Sequence, residues 1–449
     1  MTSVSSRYLQ GNYAPVTEEV TVTELAVTGT LPAYLDGRYL RNGPNPLAAD
    51  PATYHWFSGE GMVHGVRIRD GEAHWYRNRW VRNQTVAAAL GEPWKGGPVH
   101  GDFDFAANTN VIGHAGRTLA IVEAGSRPYE LTDDLETVGV CDFDGTLPGG
   151  YTAHPKRDPA TGELHAVSYF WGWGNKVQYS VIGTDGRVRR TVDVEVGASP
   201  MLHDMSLTER YAVIYDLPVV FNLELAMAGA SIPYAWDPDY AARIGLLPRE
   251  GDAADVRWFD VEPCYVFHPL NAYDDGDRVV LDVVRHPRMF DRNRLGPDEG
   301  IPTLDRWTVD LTAGKVIEER LDDRGQEFPR VDERVVGRRH RYGYAVGVVT
   351  DGDDHLDFAS NALIKHDMVT GTTTVRRFPR AGAGEFVMVP SSDDAGEDDG
   401  VVMGFVFDPE RGASDLVVLD AATLDDVARV RLPVRVPYGF HGNWVPSPA

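Results

Sequence analysis

Four of the fourteen histidines in this 449-residue sequence recur at comparable places. They are His154 in Thr152-Ala153-His154-Pro155, His203 in Met201-Leu202-His203-Asp204, His268 in Val266-Phe267-His268-Pro269, and His441 in Phe440-His441-Gly442-Asn443-Trp444. Three glutamates take the corresponding places of the remaining segments: Glu123 after Leu119-Ala120-Ile121-Val122, Glu327 in Glu327-Phe328-Pro329-Arg330, and Glu385 in Gly384-Glu385-Phe386-Val387. A single histidine in a strand is more often a satisfied core or surface side chain. Four in register, with carboxylates filling the gaps, are the residue types of a metal centre. Imidazole suits iron, copper, zinc or nickel, whereas calcium and magnesium take oxygen ligands. A ligating imidazole needs its second ring N–H held by an acceptor, usually a carboxylate. Three glutamates would thus orient three of the four histidines and leave the direct ligands neutral. Four such ligands leave up to two positions open for a small molecule such as dioxygen, unlike a closed tetrahedral zinc site, commonly built with cysteines. The other ten histidines are expected to be ordinary residues, His64 beside Gly59-Glu60-Gly61 being the doubtful one.

The elements that must position these groups are strands. Helical periodicity is scarce, and one unit recurs: an alternating apolar strand, a turn containing Asp, Thr or Gly, and a second strand rich in Val and Arg. It begins at Val66, Pro128, Tyr179, Ile244, Arg306, Leu363 and Leu416. Each interval has room for two further strands, and seven four-stranded repeats make a β-propeller. After each hairpin the chain should return to the central axis, and the return points carry Glu123, His154, His203, His268, Glu327, Glu385 and His441 in that order. The expected fold is all-β, one seven-bladed propeller domain over residues 1–449, with insertions around 83–112, 216–250 and 286–303.

Composition narrows the function classes. Lys and Arg number 43 against 67 Asp and Glu, a net charge of −24. Such a surface repels phosphate backbones, so nucleic acid is excluded as a partner, and broad attachment to anionic lipid is disfavoured. The two cysteines, Cys141 and Cys264, are too few for a disulfide framework and are read as buried free thiols. The N-terminus lacks the apolar core of a signal peptide, and no apolar run reaches ~18 residues, so a soluble, cytoplasmic protein is expected.

Taken together, Arg41-Asn42-Gly43-Pro44-Asn45-Pro46, Phe57-Ser58-Gly59-Glu60-Gly61-Met62-Val63-His64 and the histidine and glutamate stretches above resemble the carotenoid cleavage oxygenase family over nearly the whole chain. The resemblance implies a propeller with a helical and loop dome over its axis, and one non-haem Fe(II) per chain held by His154, His203, His268 and His441. It implies that Glu123 holds His203, Glu327 holds His268 and Glu385 holds His441, with His154 lacking a glutamate. It also assigns to Thr109 the residue whose methyl occludes one iron position. The implied reaction is cleavage of an alkene C=C bond by O2 into two carbonyl fragments, with no organic cofactor. Isomerase or hydrolase chemistry on retinoid-like esters also occurs on this scaffold and would use the same iron site.

The implied substrates are apolar polyenes (carotenoids and apocarotenoids) or aryl-alkenes such as stilbenes and isoeugenol. The phenol-cleaving branch carries a lysine just before the first glutamate, where this sequence has Val122. Loss of that cation favours a carotenoid or apocarotenoid, with stilbene or phenylpropenoid cleavage as the alternative. Phe170-Trp171-Gly172-Trp173-Gly174 could line a tunnel. The apolar segment 219–230 matches a family patch that admits polyenes from membrane or micelle, which leaves room for weak peripheral contact. A metal-free scaffold propeller would leave the His/Glu register unexplained, and a calcium-type propeller hydrolase would present oxygens, not imidazoles, on its axis. The oligomeric state is not read from the sequence.

Overall fold

The structure is a computed structural model that describes residues 6–351 and 355–448. Antiparallel strands follow one another along the chain as the seven blades of a β-propeller, the sixth and seventh joined into one 10-stranded sheet by the pairing of Ser360 with Ala383. Their outer hairpins are those expected from the sequence. In the third blade, for example, Lys176–Ile182 pairs with Val188–Glu195, and in the fifth Thr303–Asp310 pairs with Lys315–Asp322. The turns explain the recurring Asp/Thr/Gly composition. Asp310 Oδ1 accepts from the Thr312 and Ala313 amides at 3.0 and 2.8 Å, and Gly314 follows at φ 67°. Asp367 and Asp420 close their turns in the same way, so a short carboxylate substitutes for missing backbone partners.

Middle strands such as Leu164–Tyr169 and Tyr211–Asp216 are buried on both faces, whereas outer strands such as Val188–Glu195 alternate with solvent. The buried side chains form clusters between neighbouring blades; the largest joins the third, fourth and fifth around Tyr179, Tyr215 and Trp307. Cys264 is free and buried in that cluster and Cys141 in the one under the second blade, as expected.

Both chain ends take part in closing the ring. Ala26–Gly29 adds an outer strand to the last blade by pairing with Asp426–Arg431. Gly442–Pro446 adds the inner strand of the first blade by pairing with Gly37–Pro44. The second contact is tight: a Cβ on Gly43 would stand 2.7 Å from Gly439 Cα, so both positions need glycine.

Three long connections leave the blades on one side. Residues 81–109 contain helix α1 (Gln84–Leu90), capped by the Asn83 side chain on the Val86 amide and ended by Gly91 at φ 69°. Residues 217–242 contain a short hairpin, Val219–Phe221 with Tyr234–Trp236, and helix α2 (Leu223–Met227) between its strands. Residues 287–302 run without helix or strand.

Candidate metal centre

The inner ends of the blades bring His154, His203, His268 and His441 together, all four buried, with one ring nitrogen from each inside a common radius: these atoms lie within 4.8 Å of one another. His154 Nε2 is 3.0 Å from His203 Nε2, which is 3.1 Å from His268 Nε2. Neutral imidazole nitrogens gain nothing from facing one another at that distance, and their spacing fits a shared cation. Around an ion with ~2.1 Å metal–nitrogen bonds, neighbouring ligands at right angles are ~3.0 Å apart and tetrahedral ones ~3.4 Å. The His154–His203 and His203–His268 separations lie nearer the right-angle value than the tetrahedral one.

Carboxylates stand close to the far nitrogens of three of the four. His268 Nδ1 is 2.6 Å from Glu327 Oε2, His441 Nδ1 is 2.9 Å from Glu385 Oε1, and His203 Nδ1 is 2.7 Å from Glu123 Oε2. An acceptor at Nδ1 fixes the proton there and leaves the Nε2 lone pair pointing inward. His154 has no glutamate; its Nδ1 faces Asp204 Oδ2 at 3.7 Å. Burial, reinforced by the other three rings, holds His154 neutral well below the usual histidine range. Burial likewise pushes His268 down to about 3, against the opposing pull of Glu327. For His203 burial acts the same way, but the Glu123 carboxylate outweighs it and raises the group. Glu385, although buried, is brought down to about 2 by Arg330 and His441, and Glu327 falls well below its usual range through His268 and His286. Both are therefore anions.

One register differs from the sequence expectation. The second blade enters at Asn110–His114, so the residue at its return point is Thr109, and Glu123 follows the second strand, Arg117–Ile121. The two strands are antiparallel with Asn110 opposite Ile121, which carries residues 122 and 123 back beside Thr109. The Thr109 amide donates to Ile121 O at 3.2 Å and its hydroxyl to Asn108 Oδ1 at 3.0 Å. The backbone strains at this ring: Ala124 and Phe328, each directly after a glutamate, sit at φ 62° and 51°. Non-glycine residues held there cost about 1–3 kcal/mol each and persist where the surroundings over-determine them.

Several contributors were not read from the sequence. His286, placed among the ordinary histidines, lies 2.8 Å from the second oxygen of Glu327. Arg330 Nη1 donates to Gly442 O at 2.9 Å and reaches Glu385 Oε2 at 3.3 Å, while its Nη2 donates to Asn443 Oδ1. Asn42 brackets the last histidine, its amide donating to His441 O while its carbonyl accepts from Phe440 N. The Asn42 and Arg330 positions lie inside recognisable motifs; His286 sits at the end of an unmarked strand. His64 is an ordinary partner of the Tyr76 hydroxyl, and the side chain of His355 lies outside the described residues.

Two cavities meet at the cluster. One, of about 470 Å³, is apolar and reaches His203, His268 and His441 between Phe57, Phe103, Phe105, Trp171, Phe221 and Tyr234. Val122 and Thr109 are in its wall. At its rim, Leu223 and Met227 of α2 are 64% and 82% exposed, so this helix is not packed away in the core. Trp173, by contrast, turns to His100, 3.3 Å away. The other cavity, about 640 Å³, has a mixed polar and apolar lining and reaches His154, His268 and His441 past Lys156, Asp204 and Arg330.

A family profile described as RPE65, retinal pigment epithelial membrane protein, matches residues 13–446. A Mycobacterium tuberculosis protein named carotenoid cleavage oxygenase is 54% identical over 98% of this chain and 97% of its own. Carotenoid 9,10(9′,10′)-cleavage dioxygenase 1 of Arabidopsis thaliana is 33% identical over 99% of this chain and 90% of its own. Among solved structures, the lignostilbene dioxygenase of Pseudomonas brassicacearum superposes with a TM-score of 0.87 at 30% identity, over 98% and 99% of the two chains. Cobalt-substituted Synechocystis ACO superposes with a TM-score of 0.86 at 27% identity, over 96% and 97%.

Proposed function

Because the chain belongs to the carotenoid cleavage oxygenase family, we propose that His154, His203, His268 and His441 hold one Fe(II) per chain and that the apolar cavity delivers a carotenoid or apocarotenoid C=C bond to it. The chain is an oxidoreductase of the carotenoid cleavage dioxygenase type, an alkene-cleaving enzyme. The observation that carries the iron reading is the convergence of four buried imidazoles, three of them with a carboxylate at the far ring nitrogen.

Bound Fe(II) would supply the redox chemistry that lets O2 add across an alkene. The overall reaction places one oxygen atom on each alkene carbon, so no proton donor, reductant or organic cofactor is required. The residues contribute position and environment. Glu123, Glu327 and Glu385 fix the tautomer and orientation of their histidines. Thr109, whose hydroxyl is engaged with Asn108, occupies the cavity wall beside the cluster and would keep one ligand position closed. The aromatic wall excludes water and holds one double bond in place, which is where most of the rate gain of a positioned reaction originates. Val122 leaves the wall without the cation that would stabilise a phenolate, favouring a polyene over a hydroxystilbene.

The single-domain propeller carries its dome in the three long connections. The exposed rim of α2 would make weak contact with a membrane or micelle, while a net charge of −24 opposes electrostatic adsorption. Among the described residues no helix is long and apolar enough to cross a membrane. The two unpaired thiols agree with a reducing compartment, the cytoplasm.

Stilbene cleavage remains the second reading, favoured by the 30% identity to the lignostilbene dioxygenase structure. The test is anaerobic Fe(II) loading followed by O2 with β-apo-8′-carotenal in one reaction and resveratrol in another. Aldehydes from the carotenal support the first reading; aldehydes from resveratrol alone reverse the substrate assignment. Protein that takes up no iron with all four histidines intact removes the iron assignment itself.

A further inference from the structure

We propose that Asp204 is the carboxylate that serves His154, with Lys156 as the counter-charge that sets its strength. The inference rests on the reading of the four histidines as ligands. His154 is the one member of the cluster without a glutamate at Nδ1, and the carboxylate oxygen facing that nitrogen belongs to Asp204, 3.7 Å away. Asp204 has a 3% exposed side chain and is firmly held: Lys156 Nζ lies 2.8 and 2.9 Å from its two oxygens, and the Met205 amide donates to Oδ1 at 2.6 Å. His154, Lys156 and Asp204 all border the larger cavity, so a water molecule has space to bridge the 3.7 Å gap.

The placement follows from the chain. Asp204 comes directly after the ligand His203, and Lys156 lies two residues after the ligand His154, with Pro155 stiffening the link. The ion pair thus joins two neighbouring blades at the point where their histidines approach to 3.0 Å. Lys156 is partly exposed while Asp204 is buried, so the pair holds the carboxylate in place beside His154.

A ligating imidazole must be neutral, so the charge at the site comes from the four carboxylates that face the histidines: Glu123, Glu327, Glu385 and Asp204. Two cations touch these carboxylates, Arg330 on Glu385 and Lys156 on Asp204. Glu123 and Glu327 are left uncompensated, and their two negative charges match a divalent ion. Asp204 therefore differs in kind from Glu123 and Glu327: it steers His154 while Lys156 cancels its charge, making His154 the weakest donor of the set.

The test separates this role from a simple tie between blades. Metal-free protein is titrated with Co(II), read by its visible d–d absorption, and with anaerobic Fe(II), read by equilibrium dialysis. Asp204→Asn leaves Lys156 uncompensated beside His154 and should weaken binding of both metals ten- to hundred-fold, with a shifted Co(II) spectrum. Lys156→Met removes the counter-charge and should bind at least as tightly as wild type. Asp204→Asn binding within two-fold of wild type overturns the proposal, as does equal weakening in both variants, the signature of a tie alone. Should Asp204→Asn not fold, Lys156→Met decides: wild-type or tighter binding supports the proposal and a tenfold loss overturns it. Wild-type protein that binds neither metal would instead remove the underlying ligand reading.

Discussion

Glu327 and Glu385 back their histidines under different constraints. Glu327 is shared between His268 and His286, with the Phe328 amide as a third donor, whereas Glu385 is shared between His441, the Gly442 amide and Arg330. Glu385→Gln keeps the shape but removes the charge behind His441, while Arg330 keeps its second partner, Glu333, at 2.8 Å. Metal affinity should fall ten- to hundred-fold, about 1.4–2.7 kcal/mol, measurable by competition with a chelator. His268→Ala removes a ligand outright, and the purified protein should lose its iron by elemental analysis. Specificity can be probed at Val122, which is buried in the cavity wall next to Glu123. Val122→Lys places an ammonium in an apolar pocket, where its desolvation is costly unless a phenolate or the Glu123 carboxylate neutralises it. Cleavage of resveratrol relative to β-apo-8′-carotenal should rise at least tenfold, a difference of about 1.4 kcal/mol in transition-state binding. An unchanged ratio would remove Val122 from substrate selection.

The last strand, Gly442–Pro446, connects ligand and fold, since it follows His441 directly and forms the inner edge of the first blade. Arg330, Asn42 and Thr109 all grip it or its leading residues through backbone atoms. His441→Ala should therefore abolish iron binding while the metal-free protein melts close to wild type. Deleting 440–449 should abolish iron binding and also lower the melting temperature of the metal-free protein, because the edge of Gly37–Pro44 loses its partner. Wild-type iron content in the truncated protein would exclude His441 as a ligand. This strand shows what the sequence discloses and what it hides. The seven outer hairpins were legible through local signals, alternating strands and turns such as those capped by the Asp185, Asp310, Asp367 and Asp420 side chains. His154, His203, His268 and His441 were legible because they recur relative to those hairpins. Glu123 was set in the wrong strand of its blade because an antiparallel return brings either end of a hairpin to the same place. His286, Arg330 and Asp204 were missed as supports because their roles arise from contacts between blades, which no local period encodes. The double closure by Ala26–Gly29 and Gly442–Pro446 was hidden for the same reason, since its pairings span the length of the chain.

At the scale of the whole ring, the cluster draws its ligands from segments that precede the inner strands of the third and fourth blades, from the inner strand of the fifth, and from the closing strand of the first. A metal bound there ties together parts of the chain that are otherwise linked only through neighbouring blades. Ligand binding to the folded state alone stabilises it by about 4 kcal/mol when the free metal is ~1000 times its dissociation constant. For a chain of this size each kcal/mol moves the melting temperature by roughly 1–2 °C, extrapolating the fall with length seen in smaller domains. Fe(II)-loaded protein under anaerobic conditions should thus melt several degrees above chelator-treated protein, and readdition of Fe(II) should restore the difference. The increment should shrink in Glu385→Gln in proportion to its lost affinity and vanish in His268→Ala, while the metal-free melting temperature of Glu385→Gln stays close to wild type. Hydrogen exchange should place the change at Gly442–Pro446 and its partner Gly37–Pro44, where a freed His441 removes the metal's hold on the closing strand and leaves only its hydrogen bonds. Equal melting of loaded and stripped wild-type protein, with iron demonstrably bound, would mean that the ring is fully closed without the metal and that the histidines are held in place by the blades alone.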